Sequence, residues 1–272
     1  MSRRASRRVF YGLAALLALY LGAPLAALFA RSGAADWGEL WRPATLAALG
    51  TSAVAATIST AFIAACGVPL GYVLARSGAR WAKALGVLVQ VPLALPPLSG
   101  GILLLFLFGP YTFLGGLFGG RLTDSLAGVV LAQCFVAAPF GVIAARSAFA
   151  ALDPALEGVA ATLGRTAGER WRQVVLPLAG PGVAAGLLLA WVRAFGEFGA
   201  TAIVAYHPYT LPVLIWVEFG STGLNAVLPL VAAAMAAAAL ALAFATLLLS
   251  RRRRPARVST RRDGPALVLA TG

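Results

Sequence analysis

Long apolar stretches, separated by short clusters of arginine, glycine and proline, dominate this chain. A helix needs about 20 predominantly apolar residues to cross a bilayer. Six runs meet that length, at approximately 9–30, 45–75, 84–108, 124–146, 180–206 and 225–250. All six are predicted to be α-helices, because a segment surrounded by lipid must satisfy its own backbone N–H and C=O groups. The apolar/polar alternation of a barrel strand is not visible. The second run exceeds one perpendicular crossing, which predicts a tilted or protruding helix. Residues 1–34 share arginines, an apolar run and "ARSGAA" with secretory leaders, but a leader's apolar core is roughly 7–15 residues long. The run at 9–30 is longer, so an uncleaved first helix is predicted.

Composition turns this pattern into a class. Hydrophobic residues make up 60% of the 272 and charged residues only 11%, with a mean hydropathy of +0.87. A soluble domain carries roughly 25% charged residues, so the reading is an all-α integral membrane protein. Its single domain covers 1–272, with a core at about 45–250, preceded by a tail, first helix and outer loop (1–44). A basic tail at 251–272 is expected to be disordered.

The net charge of +13 would direct a soluble chain toward nucleic acid, but the positions of the basic residues say otherwise. Arg3, Arg4, Arg7 and Arg8 precede the first span. Arg76, Arg80 and Lys83 follow the second, Arg146, Arg165, Arg170 and Arg172 follow the fourth, and Arg251 to Arg254 follow the sixth. The remaining loops hold Arg31, Arg42 and Arg121. Arginine and lysine accumulate on the cytoplasmic side of membrane proteins. Both termini and both basic loops are therefore expected in the cytoplasm, with the chain multi-pass in the inner membrane. The excess charge is a topology signal, and no nucleic-acid partner is expected.

Several chemistries lack their residues. A phosphate-binding P-loop needs lysine after glycine, and the single lysine, Lys83, follows Ala82. One histidine, His207, excludes a three-histidine metal site. Cys66 and Cys134 lie in apolar runs outside any CxxC spacing and read as buried thiols. "GTSA" (50–53) faintly resembles an intramembrane serine nucleophile with His207 as base, yet small residues packing at a helix start explain it as well. No enzymatic activity, catalytic residue, metal or cofactor is expected of this chain.

The stretch between the fourth and fifth spans, "ALDPALEGVAATLGRTAGERWRQVVLPLAGPG" (151–182), carries more information. Asp153–Pro154 is a helix-start signal. Leu156, Val159, Ala160 and Leu163 then recur at helical spacing as one apolar face. Gly164 ends that helix, and Thr166 with Glu169 forms a capping box that starts another, predicted to run to about Val175 before Leu176–Pro177. A helix too short to span but apolar on one face calls for a partner groove or a seat at the lipid interface.

This loop resembles the coupling loop of ABC importer permeases, whose pattern is EAA, three residues, G, nine residues, I-x-L-P. Anchored on Gly164, the pattern's final residues fall on Val174, Leu176 and Pro177. Its glutamate position is Gly158, preceded by Glu157, and its alanines are Val159 and Ala160. "RAFGEFGAT", "VPLALPPLSGGILLL" and "YTLPVLIWVEF" look like the molybdate/tungstate and sulfate group of these permeases. The resemblance covers approximately 45–250. It implies a type I (MetI-like) fold, with Leu156, Glu157, Gly158, Val159, Ala160, Leu163, Gly164, Leu176 and Pro177 coupling the chain to a separate ATPase dimer that holds ATP and Mg. It further implies a second permease subunit, a homodimer in the molybdate type, and an extracytoplasmic binding protein received near 109–123 and 206–224.

One pair is unusual for an apolar span. In "WVRAFGEFGAT" (191–201), Arg193 and Glu197 stand at i, i+4 and can reach each other. A charge near mid-bilayer costs roughly 2.5–3.5 kcal/mol on insertion scales, so both should face the bundle or an aqueous cavity. Either they fix helix register as a buried ion pair, or Arg193 supplies positive potential to an anion path while Glu197 keeps it from becoming a trap. Thr201 and Ser99 are grouped with them as candidate path or gate residues. Pro92, Pro96 and Pro97 before Ser99–Gly100–Gly101 predict a kink in the third span, suited to a moving element or to a static bend. Gly182, Gly186, Ala190 and Ala194 form a small-residue ladder that permits close helix approach. The rival reading is an ion-coupled secondary transporter, which requires inverted repeats and a coupling-ion site; neither is visible.

Overall fold

The computed structural model describes residues 3–252. Most of the expected basic tail, from 253 onward, lies outside the described residues. Ten helices of the described chain matter here: α1 (Arg3–Arg31), α2 (Pro43–Arg76), α3 (Arg80–Ala94), α4 (Pro97–Phe108) and α5 (Leu126–Ala150), then α6 (Ala155–Thr162), α7 (Ala167–Phe195), α8 (Gly199–Val204), α9 (Leu211–Thr222) and α10 (Leu224–Arg252). No strand occurs among the described residues. Five helices are long and apolar enough to cross a membrane, and six if α3 and α4 count as one span.

The six predicted spans are all present, but two are broken. In place of one helix at 84–108, α3 and α4 meet at a 118° bend. The tandem prolines explain it: a residue before proline is driven out of the helical region, and Leu95 and Pro96 are both extended (ψ 137° and 135°). The two halves nevertheless run along the same partner, since Gly86 lies against Arg146 of α5 and Gly100 against Phe135. The fifth predicted span, 180–206, starts earlier as α7, stops at Phe195, and resumes as α8.

Leu176–Pro177 does not end a helix, as the sequence pattern suggested. Proline removes an N–H and its ring clashes with the carbonyl four residues earlier, but a widened π-turn over Trp171–Val175 lets α7 continue. There the Leu176 N–H reaches back to the Trp171 carbonyl. A second π-turn, Ile63–Gly67, sits ahead of Val68–Pro69 in α2. The two helices solve the same problem in the same way.

Small residues hold the bundle together. Ala48, Ala56, Ala137, Ala190 and Ala194 are buried at the meeting of α2, α5 and α7, with Ile63, Phe195, Leu211 and Leu230 around them. The ladder of α7 packs within this chain: a Cβ on Gly182 or Gly186 would collide with Ala148 or Ala144 of α5. Short side chains let helix backbones approach closely, which lipid-embedded helices use in place of a hydrophobic drive. By contrast, none of the apolar window of α1 is buried, so this helix adds a span without contributing to the core. The serine of the "GTSA" stretch has a structural task, because fully buried Ser52 accepts the Leu211 N–H at 2.8 Å and fixes the start of α9.

Candidate functional site

The two broken spans meet. Gly199 at the start of α8 lies so close to Pro97 that a Cβ would approach its side chain at 2.7 Å, and Gly101 of α4 is equally tight on Ile203 at 2.8 Å. Glycine is required for this approach. Arg193 and Glu197 sit at the junction. Glu197 is not inside a continuous helix, as the i, i+4 reading supposed. It follows the end of α7, and its carboxylate takes over a capping task, accepting the Ala200 N–H through Oε1 at 2.8 Å. Oε2 meets Arg193 at 2.6 Å.

Exposure divides the pair unequally, with side chains 30% exposed for Arg193 and 1% for Glu197. A buried carboxylate is tolerable only when its oxygens are matched, and here each has a partner. Arg193 faces a cavity of about 210 Å³ lined by Pro92, Pro96, Pro97, Gly100, Phe135 and Phe140 among others. A guanidinium carries five N–H donors, more than one carboxylate oxygen can use, so Arg193 keeps donor capacity for a ligand in that cavity. Ser99 is half-buried and Thr201 fully buried. Neither lines the cavity, so the structure does not bring them together with Arg193 there. The Thr201 hydroxyl has no hydrogen-bond partner.

The second candidate region is α6 and its flanks. Local chemistry builds it as the sequence suggests. Asp153 accepts the Ala155 N–H at 2.9 Å. Gly164 closes the helix at φ +78°, with the Gly164 and Arg165 N–H groups returning to Ala161 and Ala160, the paired bonds of a Schellman ending. Thr166 and Glu169 cap each other at 2.8 and 3.3 Å.

The apolar residues of α6 do not share one face. Leu156, Val159 and Leu163 are 43%, 60% and 77% exposed, whereas Ala160 is buried at 7%. Gly158 is exposed, with open space where a Cβ would stand. Leu176 packs into the apolar cluster around Phe149 and Val175, and Pro177 is exposed on α7, apart from the α6 stripe in sequence and element. Glu157 turns inward with Ala160. The Tyr72 hydroxyl donates to its Oε2 at 2.6 Å, and Arg76 donates to Oε1 through Nε at 2.8 Å.

Sequence reasoning missed Tyr72 and Arg76, and it also missed Gln133. Gln133 is fully buried, accepts from Ser59 at 3.2 Å, and leaves Nε2 without a partner. A lone amide inside an apolar run was the available signal, because polar groups within a span are costly.

Comparison with known proteins gives a consistent picture. Residues 67–254 match the family model described as the binding-protein-dependent transport system inner membrane component. A probable molybdenum ABC transporter permease of Haloferax volcanii is 48% identical, covering 80% of this chain and 81% of its own. A molybdate/tungstate transport system permease of Thermococcus kodakarensis is 37% identical, covering 85% and 90%. Among solved structures, a bacterial ABC transporter that imports the acidic polysaccharide alginate superposes with a TM-score of 0.67 at 16% identity, covering 92% of this chain and 98% of its own. The methionine transporter MetNI in an inward-facing form gives 0.62 at 18%, covering 76% and 95%. The structural likeness is one of fold.

Proposed function

The chain belongs to the family of binding-protein-dependent transport system inner membrane components, and from that premise we propose that it is the permease subunit of an ABC importer for a tetrahedral oxyanion. Molybdate or tungstate is the first choice of cargo and sulfate the second. Arg193 carries this reading: it is a cation with spare donors, lining a cavity where two interrupted spans meet. The identity to molybdenum and molybdate/tungstate permeases supports the cargo. Glu197 lowers the net charge of the site, so a divalent anion is attracted and also released. Thr201 and Ser99 remain near this route through the α4–α8 packing, without lining the cavity.

ATP and Mg bind a separate ATPase dimer, which grips the exposed Leu156, Val159 and Leu163 stripe by the helix-in-groove mode. By the distribution of arginines both termini and α6 face the cytoplasm. The opposite end, with exposed Tyr111 and Phe113 and the loop at 206–224, receives a substrate-binding protein. Two copies of this chain form the transmembrane unit. An ion-coupled secondary transporter finds no support in the family match.

The test is uptake by proteoliposomes containing this chain, its ATPase and its binding protein. ATP-dependent accumulation of labelled molybdate, blocked by tungstate and unaffected by excess sulfate, is expected. Uptake that persists without the ATPase points to a secondary transporter instead. Preferential competition by sulfate reassigns the cargo.

A further inference from the structure

Glu157 makes the most connected long-range polar contact among the described residues. Both of its carboxylate oxygens are engaged across more than 80 positions of sequence: the Tyr72 hydroxyl donates to one at 2.6 Å, and Arg76 Nε donates to the other at 2.8 Å, with Nη2 at 2.8 Å in charge contact but without a hydrogen bond. Arg76 also donates through Nη1 to the Leu152 carbonyl at 3.2 Å, just ahead of α6. One guanidinium thus fastens α2 to α6 and to the short turn that leads into it. The Tyr72 ring stands edge-on to Phe149 of α5 at 5.4 Å, beside the same cluster.

The connectivity gives this cluster its meaning. Movement of α6 reaches α5 and α7 through the chain itself, by way of Leu152 and Gly164. No covalent segment of comparable length joins α6 to α2. A helix of eight residues is about 12 Å long, and Ala160 is its one buried residue, so apolar packing offers little resistance to its rolling. Directional hydrogen bonds to charged groups resist rolling where apolar contact does not. We infer that the Tyr72–Arg76–Glu157 cluster is the joint through which displacement of α6 is passed to α2, with Glu157 and Arg76 as positioning residues for coupled transport. The inner face of α6 then belongs to this chain and the outer stripe to the partner. The π-turn Ile63–Gly67 of α2 lies on the far side of the joint from α6, where the regular helix is already interrupted.

This inference rests on the reading of α6 as the helix gripped by an ATPase, and its test separates the two. Wild type, Glu157→Gln, Arg76→Lys and Tyr72→Phe are each reconstituted with the ATPase and binding protein. Co-purification of the ATPase, its ATP hydrolysis, and anion taken up per ATP are then measured. The joint requires that the ATPase still co-purifies while uptake per ATP falls about tenfold in Glu157→Gln, the scale of one lost charge-assisted hydrogen bond. Tyr72→Phe, which removes a single hydroxyl and leaves the packing, should lower the same ratio severalfold and so serves if the charge variants fold poorly. An unchanged ratio in Glu157→Gln and Tyr72→Phe overturns the joint. So does a loss of uptake that only tracks loss of ATPase binding, which would put Glu157 on the docking face. A wild-type complex that neither binds the ATPase nor imports anion overturns the functional reading instead.

Discussion

Two arginine–glutamate pairs of nearly equal length do opposite things in this molecule. Arg193 and Glu197 are four residues apart and belong to one break in one span, with Glu197 1% exposed. Arg76 and Glu157 are 81 residues apart and join two helices, with both side chains about a fifth exposed at 20% and 21%. A local pair is tethered by the four residues between its members, so it senses at most the bend at its own break and not the displacement of helices distant in sequence. It can only set a charge and a backbone geometry. A long-range pair is strained by relative movement and can transmit it. The first pair is therefore suited to a site and the second to a linkage.

The sharpest way to break this comparison is to remove one cation from each pair. Arg193→Ala strands the buried Glu197 carboxylate, and losing one member of a buried pair costs about 3–5 kcal/mol. Loss of folded protein is expected, read as a fall in monodisperse yield and thermal midpoint in detergent. Arg193→Ala together with Glu197→Gln removes both charges while keeping an acceptor for the Ala200 N–H. That variant should fold, assemble and still fail to import. Recovery of uptake in the double variant would reduce the pair to a brace for the α7–α8 break and remove Arg193 from the anion path.

Arg76→Ala should be gentler on stability. Glu157 retains the Tyr72 hydroxyl and access to water, so the loss is about 2 kcal/mol, the scale of a hydrogen bond to a charged group. Its effect on coupling should nevertheless exceed its effect on stability, which the ratio of uptake to ATP hydrolysed reads directly. A destabilisation as large as that of Arg193→Ala would mean that exposure does not separate the two pairs.

The local pair was legible in sequence and the long-range pair was not. Arg193 and Glu197 stand out because nothing else charged surrounds them, and i, i+4 spacing announces contact. Asp153, Gly164 and the Thr166–Glu169 box were readable for the same reason, since caps are made within a few residues. Arg76 instead ends α2 beside basic residues that already have an explanation in topology, so nothing in the sequence pairs it with Glu157. Helical periodicity grouped Ala160 with Leu156, Val159 and Leu163, but period alone cannot say which neighbour lies on which side; the packing of α6 turns Ala160 inward. Prolines predicted interruption correctly at 96–97 and wrongly at 177, because a π-turn can absorb a proline where the flanking helix is held by tertiary contact.

The smallest effect concerns the turn that sets how α6 leaves the bundle, and it decides whether the joint or the backbone controls its orientation. Gly164 has φ +78°, and nothing lies within 4 Å of a Cβ placed there. Space is therefore not what excludes a side chain; handedness is. Gly164→Ala should cost about 1 kcal/mol, the penalty of the left-handed region for an L-residue. Asparagine tolerates that region better than alanine. Backbone control therefore predicts that coupling falls in the order Gly, Asn, Ala, Val, although asparagine is larger than alanine. If the glycine is there so that a partner can approach the backbone, size governs and asparagine falls below alanine. Measured as uptake per ATP, the order of these two variants distinguishes a turn that aims α6 from a surface that another protein must touch. Repeating the series in Glu157→Gln sharpens the contrast: with the joint released, the turn alone would hold α6, and the differences among the four residues should widen.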